Sequence, residues 1–172
     1  MIVYLIGMPA AGKSSIGKQL AKKTNYTFTD LDDIISAKEE VSIKQLFQEK
    51  GEAYFREIES KYLKEVSQTK ENIVVSLGGG TPCFYDNMDV ILSSGKVFYI
   101  NAPNYVIISR IMRGVTKRPL FAGLNDTELS DKINFLLKER EAFYLKAHHQ
   151  IDAKTRSKKD IVEEILSLIK NN

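Results

Sequence analysis

Residues 2 to 6, Ile2-Val3-Tyr4-Leu5-Ile6, form an unbroken apolar, β-branched run of strand length. After Ser14 the period changes. Ile16, Leu20 and Ala21 recur at helical spacing, while Lys18, Gln19, Lys22 and Lys23 fall on other faces. Tyr26-Thr27-Phe28-Thr29 reads as a weak second strand, and residues 34 to 70 read as helical. Within that stretch Ser42-Ile43-Lys44-Gln45 marks a helix start, Gly51 breaks the pattern, and Glu52 to Val66 resumes it. Ile73 to Leu77 is a third strand, continuous in its apolar character as a buried parallel strand is. Asp86 to Leu92 predicts a helix stopped by Ser94-Gly95, and Lys96 to Ile100 a fourth strand. A helix carrying Val106, Ile107, Ile108 and Ile111 follows, then a long one over Thr127–Lys146. Gln150-Ile151-Asp152 predicts a short fifth strand, and residues 158 to 170 a closing amphipathic helix. Strands that alternate with helices in this way predict an α/β protein.

Composition narrows the class without changing that picture. The chain has 172 residues, which suits one domain over 1–172, and its 43% hydrophobic and 27% charged residues argue against disorder. A net charge of +3, spread along the chain, does not point to nucleic acid or to a membrane surface. The single cysteine, Cys83, rules out an internal disulfide and suggests a reducing, cytoplasmic setting. No signal peptide is readable, and no apolar run approaches the roughly 20 residues of a membrane span.

The chemistry concentrates where strands end. Gly7-Met8-Pro9-Ala10-Ala11-Gly12-Lys13-Ser14 fits G-x-x-x-x-G-K-[ST], the phosphate-binding loop, between a strand and a helix as the motif requires. The glycines let successive N–H groups turn inward on an anion, and the helix adds its positive end. Lys13 brings a charge to the β- and γ-phosphates of a nucleotide, and the Ser14 hydroxyl ligates Mg²⁺. Ala10-Ala11 stands where many such loops carry a glycine, which predicts a slightly stiffer loop.

The second strand ends in Asp30-Leu31-Asp32-Asp33. One aspartate there can cap a helix. On extended chain Asp30 and Asp32 would face one side, with both aimed at the phosphate site, one toward Mg²⁺ and one toward a substrate hydroxyl. Gly78-Gly79-Gly80 follows the third strand, either as a flexible loop or as backbone against which a ligand lies. Ligands of open α/β sheets bind at the carboxyl ends of strands, so these three features would share one edge. The segment from Arg110 to Phe121 is basic and poorly periodic, with Gly114 and Pro119, and is either a solvated loop or a lid over about residues 113–124. By spacing alone Arg56 reads as an exposed helical arginine paired with Glu52, Glu59 or Ser60, and Arg140 as another surface arginine. Cys83 reads as a packing residue, and His148-His149 lacks neighbours at metal-ligand spacing.

Taken in order, Gly7 to Ser14, Asp30-Leu31-Asp32, Phe55-Arg56-Glu57-Ile58-Glu59, Gly78-Gly79-Gly80, Arg118-Pro119-Leu120 and Arg140 with Tyr144 resemble the shikimate kinases over nearly the whole chain. The resemblance implies a three-layer α/β/α fold of P-loop NTPase type, with a five-stranded parallel sheet and a mobile lid. It implies phosphorylation of the 3-hydroxyl of shikimate by ATP with Mg²⁺, by a cytoplasmic monomer with no nucleic-acid or membrane partner. Ala10, Ala11, Gly12, Lys13, Ser14 and Ser15 would hold the ATP phosphates, with Ser14 on Mg²⁺ and Asp30 on a Mg²⁺-bound water. Asp32 would bind shikimate hydroxyls and orient the attacking one. Arg56 and Arg140 would grip the carboxylate, and Gly78, Gly79 and Gly80 would meet the ring through their backbone. Lys13 and Arg118 would neutralise charge on the transferring phosphoryl. Arg110, or Arg113 in its place, and Arg156 would flank the adenine. Rival readings are a gluconate kinase, a catalytically silent nucleotide module and a nucleic-acid binder.

Overall fold

The structure, a computed structural model, describes residues 1–114, 121 and 123–170. Its sheet has five parallel strands: β1 (Ile2–Ile6), β2 (Thr27–Asp30), β3 (Ile73–Ser76), β4 (Lys96–Asn101) and β5 (His149–Asp152), in the order β2-β3-β1-β4-β5. All of β1 and β3 is buried, as their unbroken apolar runs demand, whereas β2 and β5 lie at the edges and carry more polar residues.

Seven helices connect and flank the strands among the described residues: α1 (Lys13–Thr24), α2 (Leu31–Glu39), α3 (Ile43–Ser67), α4 (Asn87–Ser94), α5 (Asn104–Met112), α6 (Asp126–Tyr144) and α7 (Lys158–Lys170). Right-handed crossovers send α1 to one face, where α7 joins it, and α3 and α4 to the other, where they pack together. This is the α/β arrangement of P-loop kinases.

Local chemistry explains most boundaries. Ser42 and Gln45 form a capping box that starts α3, as the sequence predicts. Gly51, at φ 80 and ψ 174, interrupts α3. The expected continuous helical reading from residue 34 is corrected in two places. The helix starts earlier, at Leu31, because Asp30 caps it, and it stops at Glu39, where Glu40 takes φ 57.

Candidate active site

The sheet order reverses around β1, and the loops after β1 and β3 leave side by side. Leu77 N donates to Leu5 O at 3.1 Å, which holds the start of the glycine run against the end of β1. This is the switch point at which open α/β sheets bind ligands.

The loop between β1 and α1 is shaped as an anion cradle. Gly12 takes φ 104 as the N-cap of α1, a conformation a side chain opposes. Lys13 is buried and its Nζ donates to Gly7 O and Met8 O, each at 2.8 Å, which folds it along the loop. Ala10 adopts φ 60, so the loop accepts a left-handed residue with a Cβ, at a cost of about 1–2 kcal/mol. Arg110 Nη1 donates to Ala10 O at 2.9 Å and braces that residue. Ala10, Ala11, Gly12, Lys13, Ser14 and Ser15 line a cavity of about 480 Å³. Arg110, Arg156, Lys158 and Ile161 also line it, while Arg113 is exposed and does not. Arg156 pairs with Glu164 and donates to Asp160 O at 3.1 Å, so α7 sets its position.

At the mouth of this cradle Ser14 Oγ donates to Asp30 Oδ2 at 2.8 Å and lies 3.2 Å from Ser76 Oγ. Asp30 and Ser76 are register partners on β2 and β3, so the sheet itself assembles these oxygens. Three hard oxygen donors suit Mg²⁺, which takes few protein ligands and keeps waters. Among the described residues no cluster of three or more His, Cys, Asp or Glu side chains offers a rival metal site.

A second cavity, of about 560 Å³, adjoins the loop at Pro9. Asp32, Arg56, Gly78, Gly79, Gly80 and Arg140 all line it. The consecutive helices α2 and α3 and the distant α6 therefore surround one space with the glycine run. The expectation that Asp30 and Asp32 share a side by extended alternation is corrected. Asp30 Oδ1 accepts from Asp32 N at 3.2 Å and starts α2, so Asp32 sits on a helix and lines the other cavity. The cap takes Asp30 Oδ1, while Oδ2 accepts from Ser14.

Arg56 has the ion pairs its spacing predicts, but it is buried rather than exposed. Nη1 donates to Glu59 Oε2 at 2.8 Å, and Nη2 to Glu52 Oε1 at 3.1 Å. The guanidinium carbon lies 4.2 Å from the centre of the Phe84 ring and 5.1 Å from that of Phe55. Glu59 also accepts from Thr81 Oγ1 at 2.5 Å. Burial raises the Glu59 pKa, and the neighbouring Arg56 charge opposes the rise. The glycine run makes room for these groups: a Cβ on Gly80 would stand 2.8 Å from Arg56 Nη2. Tyr144, fully buried, donates to Gly79 O at 2.5 Å and stands beside Arg140. Burial pushes the Cys83 thiol up to about 11, which keeps it an inert packing group.

Sequence reasoning overlooked Ser76, Thr81 and Phe84 as parts of the site. Glu52 and Glu59 were visible only as ion-pair partners at helical spacing. Arg118 and most of the expected lid, residues 115–120 and 122, lie outside the described residues. His148 Nδ1 accepts from Val97 N at 3.1 Å, a structural role on the sheet.

A sequence model of a family described as shikimate kinase matches residues 9–170. The shikimate kinase of Phocaeicola vulgatus is 40% identical over 169 residues, covering 98% of this chain and 96% of that protein. The solved shikimate kinase of Bacteroides thetaiotaomicron superposes with a TM-score of 0.93 at 36% identity, covering 99% of this chain and 98% of that one. The shikimate kinase of Acinetobacter baumannii in complex with shikimate superposes with a TM-score of 0.90 at 31% identity, covering 99% of this chain and 93% of that one.

Proposed function

We propose that this chain, which belongs to the shikimate kinase family, transfers the γ-phosphoryl group of ATP to the 3-hydroxyl of shikimate. The observation that carries the reading is the grouping of Asp32, Arg56 and Arg140 around one cavity that adjoins the phosphate loop. Two guanidinium forks suit a planar carboxylate, and a carboxylate beside them suits an alcohol. An acceptor that is both an acid and a polyol satisfies all three.

In this reading the loop amides and Lys13 hold the triphosphate in the first cavity. Ser14, with Asp30 through water, would hold Mg²⁺, which would supply charge neutralisation at the β- and γ-phosphates. Arg110 and Arg156 flank the adenine. Arg56 and Arg140 take the shikimate carboxylate, and the backbone of Gly78 to Gly80 meets the ring. Asp32 aligns the 3-hydroxyl and receives its proton as the new oxygen–phosphorus bond forms. The bond from the γ-phosphorus to the β–γ bridging oxygen breaks, and ADP leaves. Arg118, from a lid over about residues 113–124, adds positive charge to the transferring group. The chain works as one domain over 1–172, as a cytoplasmic monomer without nucleic-acid or membrane partners. No described helix is long and apolar enough to cross a membrane.

The test is ADP release with ATP, Mg²⁺ and shikimate, repeated with gluconate and with no acceptor. Release that depends on shikimate is expected, and equal release in all three arms overturns the reading. Asp32→Asn should keep ATP affinity in calorimetry and lose phosphoryl transfer. Lost ATP affinity instead would move Asp32 to the nucleotide site.

A further inference from the structure

Arg56 has five N–H donors, and their surroundings differ sharply. Nη1 donates to Glu59 at 2.8 Å, a carboxylate whose side chain is only 1% exposed. The Phe84 and Phe55 rings lie against the guanidinium. Four N–H groups remain, and two of them, on Nε and Nη2, make the side-on fork, the kind of edge a carboxylate takes with two parallel bonds. That fork is already taken. Nε donates to Glu52 Oε1 at 3.3 Å, and Nη2 donates to the same oxygen at 3.1 Å. Glu52 lines the cavity with Arg56 and Arg140, and its side chain is 60% exposed. Arg140 carries no ion pair among the described residues. The two arginines of the cavity are thus unequal: Arg56 has two carboxylate partners, whereas Arg140 has the Tyr144 hydroxyl beside it.

We propose that Glu52 occupies the edge of Arg56 that the acceptor's carboxylate needs, and that the acceptor binds by displacing it. Glu52 then sets how tightly the acid is held. The inference rests on the reading of Arg56 and Arg140 as the carboxylate grip.

The geometry makes this exchange feasible at Glu52 and not at Glu59. A single oxygen shared between two N–H groups at 3.1 and 3.3 Å is a looser contact than a fork-to-fork pair. A mostly exposed carboxylate returns to water at little cost, whereas Glu59 has no water to return to. Glu52 also directly follows Gly51, where the α3 backbone is not helical, so its departure unwinds no regular turn. Arg56 passes from one carboxylate to another and is never left as a buried charge without a partner. An uncharged analogue of the acceptor has no carboxylate to offer in exchange, so Glu52 acts as a filter for acids.

Steady-state kinetics on four proteins test this: wild type, Glu52→Gln, Arg56→Ala and the double variant. Glu52→Gln is expected to lower the shikimate KM by about two- to five-fold, the range set by competition from an exposed ion pair. The KM for ATP is expected to stay unchanged. The same substitution in the Arg56→Ala background is expected to have no effect on the shikimate KM. A shikimate KM that Glu52→Gln leaves unchanged or raises overturns the proposal, as does an equal decrease in both backgrounds. If Arg56→Ala itself has a wild-type shikimate KM, the reading of Arg56 fails first and the proposal falls with it.

Discussion

Gly80→Ala tests whether Arg56 is held as tightly as its surroundings indicate. Gly80 has φ −93 and ψ −19, an ordinary backbone for alanine, so any effect comes from the added methyl alone. That Cβ would lie 2.8 Å from Arg56 Nη2 and 3.0 Å from Cζ and Nη1, where ordinary contact begins at 3.4 Å. The guanidinium must therefore retreat by several tenths of an ångström. Its bond to Glu59 is only 2.8 Å long, and the Phe84 ring lies against it, so retreat stretches a buried charge-assisted pair. Such a bond is worth about 1.5–3 kcal/mol, and stretching it should forfeit roughly half. A loss of about 0.8–1.5 kcal/mol raises the shikimate KM roughly 4- to 13-fold. It also lowers Tm by about 2–6 °C in a chain of this size. Initial rates against shikimate at saturating ATP, together with a thermal melt, measure both. In an Arg56→Ala background the methyl should cost little, since nothing remains for it to strike. Wild-type KM and Tm in Gly80→Ala would show that Arg56 slides freely and that its ion pair and ring contacts do not hold it.

The other residues around the site give three further expectations. Tyr144→Phe leaves Gly79 O without its donor in the core, so Tm should fall by the equivalent of about 1–3 kcal/mol, and an unchanged melt would exclude that bond as a support of the glycine run. Burial raises the Glu59 pKa, so its protonated form is favoured on folding; the stability it adds is full below the usual carboxylate range and is lost as pH rises through the folded pKa. The Tm advantage of the wild type over Glu59→Gln should therefore grow as pH is lowered from neutral, and a constant or shrinking gap refutes the shift. Arg118→Ala should lower kcat by about 10³-fold or more with its fold intact by circular dichroism, and near-normal turnover would remove Arg118 from the mechanism.

The readable parts of this site were those whose geometry is local. The phosphate loop is eight consecutive residues between a strand and a helix, and spacing alone dictates how its amides turn. The capping box at Ser42 and the partners of Arg56 at i+3 and i−4 were legible for the same reason: helical periodicity places them. Local reasoning failed at Asp30-Leu31-Asp32, where strand alternation and helix capping compete for one residue and the cap wins.

Tertiary structure decided what no spacing carries. The side chain of Arg56 is buried because Phe84 and Gly80, from beyond β3, close over α3. Asp32 and Arg140 share a cavity because β3 pairs between β1 and β2, which sets the glycine run beside the end of β2, and because α6 packs against residues 81–83 just beyond that run. Periodicity along a chain fixes which neighbours share a face. The burial of a charge depends on which distant segment arrives to exclude water, and that is set by the order in which the strands pair.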